Sequence, residues 1–167
     1  FNEIKWLKLQ NLNTLDVSQN RLVDVSNYSK LKNLQRVNFS ENSINSFTIS
    51  PNLHSLDLSH NKINMVEISK IALREINLSF NDIKIFTLLD NKHLVKINLS
   101  NNRIVDISFH EENEVEHLCL SDNNLEDNIL NKVIDCRKLK KLYINNNRFT
   151  SIPQIKKLDK LELLDIS

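Results

Sequence analysis

The chain has 167 residues and a formal net charge of +1, with 22 basic against 21 acidic side chains. That balance leaves no footprint for nucleic acid or for an anionic membrane surface, and no apolar run approaches the roughly 20 residues of a membrane span. Glycine is absent, which excludes a Gly-rich phosphate loop, and two cysteines are too few for a disulfide framework.

Residues 1–11 read as the tail of one repeat, and from residue 12 a phrase recurs: Leu-x-x-Leu-x-Leu-x-x-Asn-x-Leu, with other apolar residues exchanging for leucine. It runs Leu12, Leu15, Val17, Asn20, Leu22, then Leu34, Val37, Phe39, Asn42, Ile44, then Leu53, Leu56, Leu58, Asn61, Ile63. It continues through repeats starting at Leu73, Leu94, Val115 and Leu139, and an eighth begins at Leu161. The repeat starts lie 22, 19, 20, 21, 21, 24 and 22 residues apart. Units this short cannot bury their own apolar faces and must stack on their neighbours. The expectation is a single domain over 1–167, a segment of a longer solenoid. The chain does not begin with Met and shows no basic-then-apolar leader.

Within each unit the Leu-x-Leu step alternates as a short strand with one buried face. Stacked strands predict an α/β solenoid: an arc with a parallel concave β-sheet and an irregular convex side of extended, turn and short-helix segments. Each repeat then places Asn eight positions after its start, at Asn20, Asn42, Asn61, Asn81, Asn102, Asn123 and Asn147. An inward amide there offers a donor and an acceptor to turning backbone, so the seven form a structural ladder. Five residues further lies an apolar convex column, Val25, Phe47, Val66, Phe86, Ile107 and Ile152, broken at Asn128. In that longest unit Asp127 or Asn128 is expected to cap a helix carrying Ile129, Leu130, Val133 and Ile134. The 19-residue unit with Phe47, Ile49 and Pro51 must cross in extended form. Without glycine, the tight turns are expected to use Asn, Asp and Ser.

Chemistry is hard to find. His54, His60 and His117 sit at concave positions with no third metal ligand at a useful spacing. His110-Glu111-Glu112 lacks the paired histidines of a zinc helix. Ser18, Ser40, Ser59, Ser79, Ser100 and Ser121 form a column with no base at matched offsets, so they are a packing rule rather than nucleophiles. The expectation is no catalytic residue, no metal and no cofactor. Four Asn-x-Ser sequons occur, at Asn27, Asn38, Asn77 and Asn98, but 26 of the residues are Asn and three of these matches spell the strand's own end. Only Asn27, off the concave sheet, is a candidate glycosylation site.

Outward positions on the strands form a surface. Its central column reads Asp16, Asn38, Asp57, Asn77, Asn98, Cys119, Tyr143 and Asp165, acidic and amide-rich early, with basic Lys140 and Lys141 beside it late. The candidate partner-binding residues are His54, Asp57, His60, Glu75, Asn77, Phe80, Lys96, Asn98, His117, Lys141 and Tyr143. Phe80 stands in an otherwise polar column, as a partner anchor or folded over the next turn. Cys119 and Cys136 are expected on opposite sides of the solenoid, unbonded.

The phrase Leu-x-x-Leu-x-Leu-Ser-x-Asn-x-Ile resembles the leucine-rich repeat superfamily from Leu12 to Ser167. Leu-Asp-Leu-Ser-His-Asn at 56–61 and Ile-Asn-Leu-Ser-Phe-Asn at 76–81 are similar to extracellular repeats of Toll-like receptors and insect immune proteins. Val-Glu-Ile-Ser at 66–69 is similar to mosquito complement-like leucine-rich proteins. The resemblance implies a protein-recognition module, extracellular or at the cell surface, in innate immunity or adhesion, that binds a protein ligand or partner chain through its concave face. The balanced charge gives the expectation of no nucleic-acid partner, and membrane contact is expected only through parts outside this segment. The alternative is an intracellular leucine-rich repeat scaffold or regulatory subunit, cytoplasmic, of the kind that binds phosphatases.

Overall fold

The computed structural model describes residues 9–50, 52–66, 68, 72–88 and 91–167. Residues 1–8 of the partial repeat at 1–11, Pro51, Glu67 and Ser69 fall outside them. Ten strands occur among the described residues: β1 Thr14–Asp16, β2 Arg36–Asn38, β3 Ser55–Asp57, β4 Glu75–Asn77, β5 Ile85–Leu88, β6 Lys96–Asn98, β7 Asp106–Phe109, β8 His117–Cys119, β9 Lys141–Tyr143 and β10 Leu163–Asp165. Eight form one sheet in the order β1-β2-β3-β4-β6-β8-β9-β10, and all its pairs are parallel.

The register carries the packing. Leu15, Val37, Leu56, Ile76, Ile97, Leu118, Leu142 and Leu164 lie on one row across the sheet. From Val37 to Leu142 this row is buried, as are Phe39, Leu58, Leu78, Leu99 and Leu120 beneath the strand ends. A fully buried side chain of this size contributes roughly 1.5–3 kcal/mol, so the repeats are held chiefly by one apolar core that no single repeat owns.

Where the chain leaves the sheet, three sets of polar contacts recur. The ladder asparagine is the first. Asn81 donates to the carbonyls of Leu58 at 2.9 Å, Leu78 at 3.1 Å and Ser79 at 3.2 Å, and its Oδ1 accepts from Ile63 N–H at 2.9 Å. Asn42, Asn61, Asn102, Asn123 and Asn147 repeat the scheme, each closing groups of its own repeat and of the one before.

The second set gives the serine column its reason. Asp16, Asn38, Asp57, Asn77, Asn98 and Asp165 each accept, on Oδ1, both the N–H and the hydroxyl of the Ser two residues on. These local bonds turn the chain out of the strand.

The third adds to the turns residues that the expectation of Asn, Asp and Ser did not include. The residue before each ladder Asn is left-handed, with φ between 53° and 55° at Gln19, Glu41, His60, Phe80, Asn101, Asp122 and Asn146. Asn and Asp tolerate this region, but Gln, Glu, His and Phe do so at a cost of roughly 1–2 kcal/mol each. Serine does not serve here; it occupies the preceding position. The left-handed geometry is held because each of these residues donates its N–H to a carbonyl of the next repeat, as Phe80 does to Ser100 at 3.0 Å.

The convex side follows no single rule. A 3-10 turn spans Ser26–Lys30, and its Tyr28 hydroxyl donates to Thr48 O and accepts from Ser50 N–H, both at 2.7 Å. Tyr28 packs on Phe39 and Phe47 with ring centroids 5.4 and 5.1 Å away, filling the space beside the short unit, which carries no regular element over 45–50. Strands β5 and β7 pair in parallel as a second, two-stranded sheet. The long unit turns through Asp127–Ile129 in 3-10 form and Leu130–Val133 in α form, and another 3-10 turn spans Pro153–Lys157.

The capping expectation at Asp127 or Asn128 is wrong. No side chain caps that helix, because the Asp127 carboxylate reaches across to the next repeat. It accepts from Thr150 N–H at 2.8 Å, the Thr150 hydroxyl at 2.5 Å, and the N–H and hydroxyl of Ser151 at 3.3 and 3.1 Å. Those donors, the Thr150 hydroxyl first, hold its carboxyl at about 2.

Candidate functional site

The strand rows sort the concave face into stripes that run along the arc. At the strand starts lie Arg36, His54, Arg74, Glu75, Lys96, Glu116, His117, Lys140 and Lys141, all exposed or half-buried. Two acids there are paired, Glu75 with Lys96 at 2.7 Å and Glu116 with Lys140 at 2.8 Å. The second bond draws the Glu116 carboxyl below its usual range and raises the Lys140 ammonium, whatever the desolvation of each. At the strand ends lie Asp16, Glu41, Asp57, His60, Phe80, Asn101, Asp122 and Asn146, with no lysine or arginine among them. Charge therefore divides across the face as well as along it, a separation the linear sequence hides because strand-start and strand-end residues alternate in each repeat.

A hollow of about 500 Å³ opens over β3, β4, β6, β8 and β9. It brings together seven of the sequence candidates, Asp57, Glu75, Asn77, Lys96, Asn98, His117 and Tyr143, over the backbone of Leu56, Ile76, Ile97 and Leu118, whose side chains are buried in the core. Ser55 and Cys119 also line it; both stand on the same strand rows as the candidates, which was the available signal. His54 and Lys141 stand outside the lining, and His60 and Phe80 form the strand-end rim. His54 Nδ1 lies 3.1 Å from Asn52 O.

The polar inventory of the hollow is partly spent. Asp57 and Asn77 are joined by Asn77 Nδ2 to Asp57 Oδ2 at 3.0 Å, as Asn38 is to Asp16 at 3.1 Å. The Asx row is interrupted after Asn98, whose amide oxygen accepts from its own Ser100. At the next strand Cys119 replaces the Asx residue, and Ser121 turns its hydroxyl to Asn145 instead. The Cys119 Sγ is free, half-buried and 3.7 Å from Ser121 Oγ, while Cys136 is free and buried, where desolvation raises its thiol. His117 titrates below its usual range, first because it is partly desolvated and then because Lys141 and Lys96 flank it, so its neutral ring is favoured.

Phe80 does not fold over the next turn. It is 46% exposed and stacks on His60 with ring centroids 4.1 Å apart and planes 11° apart. Asn27 is exposed on the Ser26–Lys30 turn, away from the sheet. Asn38 and Asn77, whose amide nitrogens are held by aspartates, offer no such free group. No cluster of three His, Cys, Asp or Glu able to hold a metal ion occurs among the described residues.

The seven left-handed turns, the asparagine ladder and the parallel concave sheet agree with sequence profiles described as Leucine Rich repeat over residues 50–65 and Leucine Rich Repeat over 138–158. The chain carries leucine-rich repeats and folds as a leucine-rich repeat solenoid. Its fold is shared with internalin C2 of Listeria monocytogenes at a TM-score of 0.85 and 18% identity, covering 97% of this chain and 74% of that one. The leucine-rich repeat domain of APL1 superposes with a TM-score of 0.84 at 22% identity, covering 99% of this chain and 46% of that one. A chain of the LRIM1/APL1C complex gives 0.82 at 22% identity, covering 95% and 31%. The leucine-rich repeat chain spans 64% of the length of a further Listeria protein, internalin inlF. No curated protein matches its sequence. Likeness at these identities concerns the fold. Leucine-rich repeat proteins generally mediate protein–protein interaction.

Proposed function

We propose that this leucine-rich repeat chain is a ligand-recognition module, extracellular or at the cell surface, in innate immunity or adhesion. It binds a protein partner through the concave face between His54 and Tyr143. One observation carries the reading: the hollow over β3 to β9 gathers charged and amide groups with the Tyr143 side chain on one concave surface, the residue types of a recognition surface. The same phrases that resemble Toll-like and insect immune repeats support the setting, as does the fold shared with a protein solved in the LRIM1/APL1C complex. Asn27 is the glycan acceptor in this reading, on the side the partner does not use. No helix among the described residues is long and apolar enough to cross a membrane.

The experiment is a peptide-display selection against the immobilised chain, with each binder measured again on Glu75→Ala, Lys96→Ala and Tyr143→Ala variants. Binders that lose affinity on these variants, while the unfolding midpoint stays put, support the concave site. Binders indifferent to all three move the site to the flanks or the convex side. Intact mass after expression in a secreting eukaryotic host, before and after glycosidase, tests the setting through a glycan at Asn27.

The free, half-exposed thiol of Cys119 favours a second reading, an intracellular scaffold or regulatory subunit in a reducing compartment. Retention without glycan, together with rapid labelling of Cys119, would move the assignment there.

A further inference from the structure

The concave hollow has two chemically different halves. Over β3 and β4 its outward positions hold Ser55, Asp57, Glu75 and Asn77, two carboxylates and no base. Over β6, β8 and β9 the register sets Lys96, His117 and Lys141 in one row and Asn98, Cys119 and Tyr143 in the next, three bases and no carboxylate. Neighbours in a row stand about 4.8 Å apart from strand to strand, and the two rows are roughly 7 Å apart, with all six side chains on the same face. Five of the six line the hollow of about 500 Å³, and Lys141 stands beside His117 on the adjoining strand.

The donors of this second half are largely unspent. Lys96 is shared with Glu75 at 2.7 Å, but the Lys141 ammonium, the His117 ring and the Tyr143 hydroxyl have no hydrogen-bond or ion-pair partner among the described residues. Asn98 is left over by the order of the rungs. Asn38 and Asn77 give their Nδ2 to an aspartate on the preceding strand. The strand before Asn98 carries Asn77 instead, whose Oδ1 already holds Ser79. Asn98 Oδ1 holds Ser100, so its Nδ2 has no acceptor among the described residues. The carboxylates that border these positions are engaged elsewhere: Glu75 with Lys96, Glu116 with Lys140 at 2.8 Å, and Asp165 with Ser167. Desolvation first, then Lys141 and Lys96, hold the His117 ring below its usual range against the opposing pull of Glu116, so the local field is positive.

We propose that the β6–β9 half of the hollow seats an acidic side chain, glutamate or aspartate, of a protein partner. Cys119, the small residue between Asn98 and Tyr143, marks the centre of the seat. A carboxylate above it has the Asn98 amide on one side, the Tyr143 hydroxyl on the other and the Lys96-His117-Lys141 row beside it, donors that a charged acceptor rewards more than a neutral one. A cationic side chain in the same place would meet two ammonium groups and no carboxylate of the six positions. This inference rests on the reading that the concave side meets a protein, and it adds the chemistry of the contact.

The test is an NMR titration of the intact chain with N-acetyl-tetraglutamate amide, with the tetraglutamine and tetralysine peptides as controls. The acidic peptide should give saturable shifts at Lys96, His117, Lys141 and Tyr143, and the two controls none there. At saturation the titration midpoint of His117 should rise, because a bound carboxylate offsets the push of Lys141 and Lys96. Lys141→Gln and Lys96→Gln should stay folded and each raise Kd roughly twofold to fivefold, the scale of one exposed ion pair. Lys156→Gln, on the convex turn, should leave it unchanged. Equal shifts with tetraglutamine, an unmoved His117 midpoint, or undiminished binding by folded Lys141→Gln would overturn the acid seat. So would saturation by inorganic phosphate at equal or lower concentration, which would make it a small-anion site. Display binders that still depend on Glu75, Lys96 and Tyr143 would then keep the concave site and change only the chemistry of its occupant, so the two readings fall separately.

Discussion

The strand side and the convex side of this solenoid are built from the same repeats yet obey different rules. On the strand side every unit presents a three-residue strand, an Asx–Ser turn or its substitute, a left-handed residue and an inward asparagine. On the convex side neighbouring units cross as a 3-10 turn, bare extended chain, a paired strand or a helical turn. The difference lies in what satisfies the backbone. Strand-side amides and carbonyls find partners at fixed atoms of the adjacent repeat, so each position admits few residues. The convex crossings answer mainly to apolar burial, which is non-directional, and any path that places Val25, Phe86 or Ile107 inward suffices.

The contrast can be broken at single positions. Asn81→Ala should be the most damaging, since it strands buried backbone groups at Leu58, Leu78 and Ile63; a loss of roughly 1–3 kcal/mol for each unpaired group is expected in urea unfolding. A loss below that of a convex truncation would mean the ladder is not what fixes the strand side. Phe86→Leu, on the convex side, should cost only about 1 kcal/mol, because shape there can readjust. Gln19→Asn should raise stability by up to roughly 1 kcal/mol by easing a left-handed residue; no gain would show that the turn is unstrained.

Asp127 sharpens the comparison through pH. Its carboxyl is at about 2 in the folded chain against an ordinary 3.8. A depressed carboxylate stabilises the fold fully above about pH 4, and the contribution is lost as pH falls through about 2. Acid unfolding of Asp127→Asn should therefore be less steep between those values than that of the natural chain, and identical slopes would dissociate the Thr150–Ser151 clasp from stability. The smallest effect belongs to the exposed pair: Lys96→Ala should change stability by less than about 0.5 kcal/mol.

Much of the strand side was legible in the sequence, since a position used in every repeat betrays itself by recurrence. The arc, the buried rows and the inward asparagines followed from spacing alone. The serine column was visible but misjudged as packing, although the recurring Asp/Asn-x-Ser triplet at 16–18, 57–59 and 98–100 spelled the turn. The left-handed residues were not legible, because without glycine they carry no shared chemistry: Gln19, Glu41, His60 and Phe80 have only their backbone angle in common. Nor was the reach of Asp127 to Thr150, since a bond across 23 residues leaves no local trace. The pairing of β5 with β7 lay half in view, in the alternation of Ile85-Phe86-Thr87-Leu88 with Asp106-Ile107-Ser108-Phe109. For the concave face, the sequence named the outward rows, but the division of charge across them required the strands to be laid side by side.

The asparagine ladder also bears on how such a chain can change its length. Because the Oδ1 of each ladder asparagine from Asn42 to Asn147 serves an amide of the preceding unit, these units share one type of joint, whatever their neighbours. Excision or duplication of one whole unit in register, from one asparagine to the next, would regenerate the same joint at the seam, whereas a cut through a unit would leave one mismatched. Genes for this architecture can thus gain and lose modules by recombination without redesigning a boundary, and the extent of the concave face becomes an adjustable quantity.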